Sequence, residues 1–223
     1  MNVSEALDKR MSVRAFLDKP VPRQTVEDIL LAAARSPSGG NLQPWHVWVL
    51  AGEKLSGFKS IVAERLKDHP MGEGTEYNIY PPNLTDPYKT RRFTNGEDLY
   101  RTLGIPREDK QARLKQFAKN FEFFGAPIGL IFAIDRQMGL GQWADLGMYI
   151  QSIMLLAVEK GLSTCPQEAW AGWHKTITEF VDLPPHLMVF CGMALGYANT
   201  DHPVNTLRTD RAGLVEYTTI LGF

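Results

Sequence analysis

At 223 residues, with 44% hydrophobic and 22% charged side chains, the chain has the make-up of one globular domain, not of a disordered, fibrous or membrane protein. Its 24 Lys and Arg against 25 Asp and Glu leave a formal charge of -1, so bulk attraction to nucleic acid or acidic lipid is excluded and any anion site must be a local cluster. Two isolated cysteines, Cys165 and Cys191, make neither a disulfide scaffold nor a zinc site, which makes a reducing cytoplasm the simplest setting. The first ten residues lack the apolar stretch of a signal or transit peptide, and no run approaches a membrane span.

Residues 3–9 can form a short helix, and residues 23–35 a better one, with Val26, Ile29, Leu30, Ala33 and Ala34 at helical spacing. The run Ser36-Pro37-Ser38-Gly39-Gly40 ends it, and Val47–Leu50 follows as a short buried strand. Helical pattern returns over Leu55–Lys67. Between Pro70 and Gly96, four prolines and three glycines break all periodicity, so we expect an irregular excursion or lid spanning about 68–122 of a single domain, 1–223.

Within it, residues 108–124 read as a helix ending on Phe121, Phe123 and Phe124, with Gly125 as its stop. Ile128–Ile134 is a second apolar strand. Residues 143–160 form the strongest helix, apolar nearly all round and capped by Gly161, which suits the centre of a core or of a subunit interface. A loop with Pro166, a short helix to Val181, a strand over Leu187–Leu195 and an irregular tail complete the chain, with Val215–Ile220 β-rich enough for a last strand. Strands separated by helices around a central sheet predict an α+β layer architecture.

Three segments could carry chemistry. If Arg10-Met11-Ser12-Val13-Arg14 is extended, Arg10, Ser12 and Arg14 share one side, and two guanidinium forks around a hydroxyl suit a phosphate. Lys9–Arg23 holds five basic residues against one acid, although a solvated basic turn at a helix end has the same composition. In Ser38-Gly39-Gly40-Asn41-Leu42-Gln43-Pro44-Trp45, the glycines let backbone N–H groups approach a planar ligand, and Asn41 and Gln43 offer paired donors and acceptors to a ring edge. An ordinary helix-to-strand loop reads the same way. In Cys165-Pro166-Gln167-Glu168-Ala169-Trp170, Pro166 and Trp170 could hold backbone donors toward a ligand, while Cys165 suits a packing role. The run Gly139-Leu140-Gly141-Gln142-Trp143-Ala144 mimics a dinucleotide fingerprint, but its acidic partner Glu159 falls inside the helix, not after a second strand. The five histidines are scattered, and no catalytic triad or carboxylate pair is visible.

Taken together and in order, the Arg-x-Ser-x-Arg start, the Pro-Ser-Gly-Gly-Asn-x-Gln-Pro-Trp loop, the Gly-Leu-Ser-Thr-Cys-Pro-Gln-Glu segment and a late Asn205-x-x-Arg208 resemble the FMN-dependent nitroreductase family from about residue 7 to the end. The resemblance implies a mostly antiparallel central sheet flanked by helices, in a homodimer whose C-terminal extensions are exchanged between subunits. It implies FMN, with NADH or NADPH as electron donor and a small acceptor, nitroaromatic or quinone-like, reduced by ping-pong two-electron transfer at the flavin. It places Arg10, Met11, Ser12 and Arg208 at the phosphate and ribityl chain, Arg14 at the pyrimidine edge, and Pro37, Ser38, Gly39 and Asn41 in the segment given by the other subunit. Pro166, Gln167 and Glu168 fall in the loop that meets N5, and Gly40 and Phe124 at the acceptor, with Tyr80 and Phe123 as further candidate walls. The same resemblance is compatible with reductive dehalogenation, with activated-alkene reduction, or with a non-catalytic FMN-binding protein. No metal, nucleic acid or membrane partner is implied.

Overall fold

The computed structural model describes residues 1–223. Four strands, β1 (His46–Ala51), β2 (Ile128–Asp135), β3 (Ser163–Gln167) and β4 (Leu187–Gly196), form one antiparallel sheet in the order β1-β2-β4-β3. Around it lie α1 (Val3–Lys9), α2 (Arg23–Ala33), α3 (Gly52–Arg65), α4 (Tyr88–Thr102), α5 (Lys110–Ala118), α6 (Leu140–Glu159) and α7 (His174–Val181). The α+β expectation and the antiparallel sheet are borne out. No helix is long and apolar enough to cross a membrane.

Both faces of the sheet are covered, and the period-two rule sorts its side chains between two cores. Leu130, Phe132 and Ile134 of β2 join α2 and α6, while Ile131 and Ala133 join Phe58, Phe123, Trp170 and Trp173 on the other face. In β4 the register slips by one opposite Phe132 and Ala133, leaving Phe190 as an extra residue. This bulge reverses the alternation: Val189 faces the aromatic core, while Cys191, Met193 and Leu195 face α6.

Several boundaries differ from the sequence reading. The excursion is irregular only as far as Pro87. There the 15-residue α4 begins, with the Asp86 carboxylate accepting from the Thr90 amide at 3.1 Å. Because α4 buries no residue, it carries no apolar stripe for periodicity to detect. The helix expected over 108–124 stops at Ala118 and passes into a 3-10 segment, Lys119–Gly125, in which Phe123 and Phe124 take left-handed φ of 50° and 53°. The segment holding Pro166 is strand β3, not loop. The terminal strand is absent: Leu214–Glu216 makes a single 3-10 turn, since an isolated β-rich segment with no free ladder beside it gains nothing by extending.

Candidate active site

The Arg10–Arg14 segment leaves α1 in extended form, as expected. It is fastened to the sheet edge by a parallel bridge between Ser12 and Thr164, and the Val13 amide donates to the Thr164 carbonyl at 3.0 Å. Val13 is turned into the core. The Arg14 amide donates to Asn205 Oδ1 at 2.8 Å, and Asn205 Nδ2 returns bonds to the carbonyls of Ala15 and Asn199, each at 2.8 Å. Asn205 thereby clamps the tail beside the basic segment and delivers Arg208 to it. The sequence motif contained this residue, but its positioning task is visible only in the fold.

The result is a cavity of about 580 Å³ lined by Arg10, Met11, Ser12, Arg14, Arg208 and Arg211, with Asp8 as its one carboxylate. Arg10 and Arg208 have no hydrogen-bonding or ionic partner, and Arg14 spends one donor on the Ser12 carbonyl at 3.2 Å. Burial, then repulsion from Arg211 and Arg208, lowers the Arg10 pKa from its ordinary value. Such a cluster stores unfavourable charge until an anion arrives. Arg211 was passed over in the sequence because it stands outside the short motif.

A second cavity of about 560 Å³ is walled by Pro166, Gln167, Glu168 and Ala169, by Tyr80 and Phe117 from the excursion, and by Phe190 and Cys191 of the bulge. Gln167 is 3% exposed; its Nε2 donates to the Asn120 carbonyl at 2.7 Å, and its Oε1, fully buried, has no partner. A buried acceptor left open beside a cavity marks a place where a donor on a ligand belongs. Cys165 is fully buried, its thiol pushed up to about 11 by burial against a small opposing pull from Arg14, so it is a packing residue and not a nucleophile.

The structure does not bring Pro37, Ser38, Gly39, Gly40 and Asn41 to either cavity. They are held against α6, where the Gly39 amide donates to Asp145 Oδ2 at 3.1 Å and Trp45 stacks on Tyr149 at 4.7 Å between ring centroids. Gly40 and Asn41 take φ of 58° and 57° and are exposed, and a Cβ built on Gly40 would meet nothing. This strained, open loop is presented outward. Phe124 requires correction. It is 7% exposed and packs in the aromatic core, as does the fully buried Phe123, because the left-handed turn at both residues folds the rings inward. Tyr80 is the candidate aromatic residue that does reach the cleft. Gly139, first of the fingerprint-like glycines, merely starts α6, with Gln142 Oε1 accepting from its amide at 3.2 Å.

Comparisons with known proteins agree with this geometry. The model of the Nitroreductase family matches residues 7–197. The crystal structure of an FMN and NADPH-dependent nitroreductase, NfnB, from Sphigopyxis sp. strain HMH superposes with a TM-score of 0.97 at 47% identity, covering 100% of both chains. A nitrobenzene nitroreductase of Ectopseudomonas oleovorans is 36% identical over 98% of this chain and 96% of its own. A 4-nitrobenzoate reductase of Nocardioides sp. strain LMS-CY is 39% identical over 95% of this chain and 87% of its own.

Proposed function

This chain belongs to the nitroreductase family, and we propose that it is an FMN-dependent NAD(P)H oxidoreductase reducing small nitroaromatic or quinone-like acceptors by ping-pong two-electron transfer. The observation that carries the reading is the arginine cluster with a single carboxylate beside it, whose Arg10 and Arg14 lie on the segment joined to β3 at Thr164, three residues before Gln167. That arrangement fits FMN: a doubly charged phosphate relieves the repulsion among Arg10, Arg208 and Arg211, and the open Gln167 Oε1 can accept from a flavin N–H.

In this reading Arg10, Ser12 and Arg208 hold the phosphate and ribityl chain with Met11 beside them, and Arg211 joins them. Arg14 holds the pyrimidine edge, where a fixed guanidinium favours the negative charge of the reduced ring. Pro166, Gln167 and Glu168 border N5. Bound flavin would supply the hydride carriage between nucleotide and acceptor. The chain's own task is to position it, hold charge and wall the cleft, with Tyr80 and Phe117 on the acceptor side. Nitrobenzene and 4-nitrobenzoate, named for the relatives, are the first acceptors to try.

We further propose that the enzyme is a cytoplasmic homodimer in which Pro37, Ser38, Gly39 and Asn41 of one subunit meet the flavin of the other, with Gly40 near the acceptor. Three features support it. The 37–41 loop is built but points away from its own cavities; Leu140 and Met148 of α6 stand 92% and 40% exposed; and the tail presents Val215 and Leu221, 90% and 82% exposed, with nothing over them. The expected result is a yellow protein with one FMN per chain and two per particle, read by flavin absorbance and light scattering. A monomer that keeps its FMN would overturn the shared site.

A further inference from the structure

Glu168, which the reading above sets beside N5 with no chemical task for its carboxyl group, carries an ionisable side chain into the cleft. It opens the 3-10 turn after β3, is half-buried, lines the cavity with Gln167 and Cys191, and forms no salt bridge. Two titratable groups face it, the Tyr77 hydroxyl and the Cys191 thiol. Burial keeps both of them neutral: it raises the Tyr77 pKa far above the ordinary phenol range and that of the fully buried Cys191 well above the ordinary thiol range.

Tyr77 has a single proton, and it is committed. Its hydroxyl donates to the carbonyl of the bulge residue Phe190 at 2.6 Å, with its ring wedged against Trp143 and Phe190 at 5.5 Å and 5.9 Å between centroids. The bulge is what takes Phe190 out of the regular ladder. With that proton held by the Phe190 carbonyl, the phenol exerts only a secondary pull toward the Glu168 carboxylate, which opposes the effect of burial without being the largest influence. Burial is the largest influence on Glu168 and raises its pKa, opposed in part by Tyr77, with no cation nearby to hold an ionised form.

We propose that Glu168 is the proton donor of acceptor reduction, its carboxylic acid protonating a nitro oxygen as the hydride electron pair is accepted. The proposal rests on the function inferred above. The balance closes without a further reactant. The hydride, originating on NAD(P)H, brings two electrons and one hydrogen, and Glu168 brings the second hydrogen. One N–O bond breaks, its oxygen leaves as water, and the nitroso compound remains while the nucleotide is oxidised. Glu168, left as a carboxylate with no counter-charge, recovers a proton from water at the cleft mouth.

The test uses holoenzyme and 4-nitrobenzoate, with the nucleotide and acceptor half-reactions followed separately by stopped flow in the wild type, Glu168→Gln and Tyr77→Phe. Glu168→Gln should slow the acceptor half-reaction about a hundredfold more than the nucleotide half-reaction. It should also abolish the fall of the acceptor rate with rising pH. Tyr77→Phe should move that fall to higher pH, because it removes the one neighbour that favours the charged carboxylate. Infrared spectra of the oxidised wild type should contain a carboxylic-acid C=O stretch that disappears on raising pH and is missing from Glu168→Gln. Equal slowing of both half-reactions, an unmoved pH profile in Tyr77→Phe, or the absence of that stretch would each overturn the assignment. A wild type that accepts no hydride from either nucleotide would remove the proposed function, and this role with it. A wild type that turns over while Glu168→Gln keeps its acceptor rate would remove the role alone.

Discussion

Replacing Arg10 and Arg208 together by Ala should raise the FMN dissociation constant roughly a hundred- to ten-thousand-fold while leaving the apoprotein as stable as before or slightly more so. Each charge-assisted hydrogen bond contributes about 1.5 to 3 kcal/mol, and about 1.4 kcal/mol is a factor of ten. The direction of the apoprotein effect follows from the cavity. Neither guanidinium has a partner there, and Arg208 and Arg211 both repel Arg10, so truncation relieves repulsion and breaks no bond. Fluorescence titration of apoprotein with FMN, beside a thermal melt, reads both quantities. Unchanged affinity in the double variant would remove these residues from the phosphate site, and a large loss of apoprotein stability would make them structural.

Trp170→Ala should have the largest effect on folding. The ring is fully buried, stacked on Phe123 at 4.5 Å between centroids, tilted against Phe58 at 5.2 Å and edge-on to Phe121 at 5.4 Å. Deleting such a side chain costs about 3 to 5 kcal/mol, a large part of the roughly 5 to 15 kcal/mol that stabilises a domain. For a chain of this size that lowers the melting temperature by roughly 10 °C. The sheet backbone beneath leaves no slack in the other direction either, since a Cβ added at Gly192 would collide with Trp170 Cδ1. Because Trp170 follows Glu168 by two residues, the loss should also loosen the cleft wall. A melting temperature within about two degrees of wild type would show that the aromatic core repacks around the gap.

Legibility in the sequence followed burial. Strands β2 and β4 and helices α2 and α6 press an apolar face on a core, and each was readable from spacing alone. Helix α4 presses on none, and its start is marked by Pro87, a residue equally at home in a turn. Strand β3 is five residues long and holds Pro166, so composition argued for a loop. It survives because β4 alone makes its ladder and the other edge stays free apart from the Ser12 bridge.

The site divides in the same way. Arg10, Ser12 and Arg14 stand out because charge clustering is a local property, whereas Arg208 enters only through the resemblance of the late Asn-x-x-Arg motif, and the fold gathers all four in one cavity. Arg211 and the clamp by Asn205 were not found, since their meaning comes from where the tail is laid. Phe124 was misplaced because an aromatic residue looks the same in a core as in a cleft, and only the backbone turn decides which way it points. Phe190 and Cys191 entered the cleft unseen, because the β4 bulge that brings them there is a property of pairing and not of the strand's own residues.

Successive use of one cleft by nucleotide and acceptor means that neither needs the other present. Its most direct measurement is anaerobic. Holoenzyme is reduced with one equivalent of NADPH or NADH, freed of nucleotide by rapid gel filtration, and mixed with nitrobenzene or 4-nitrobenzoate while flavin absorbance is followed. The expected result is full return of the oxidised spectrum with stoichiometric loss of acceptor and no nucleotide present. A reduced enzyme that stays bleached until nucleotide is restored would require both ligands at once and would rule out successive use of one cleft.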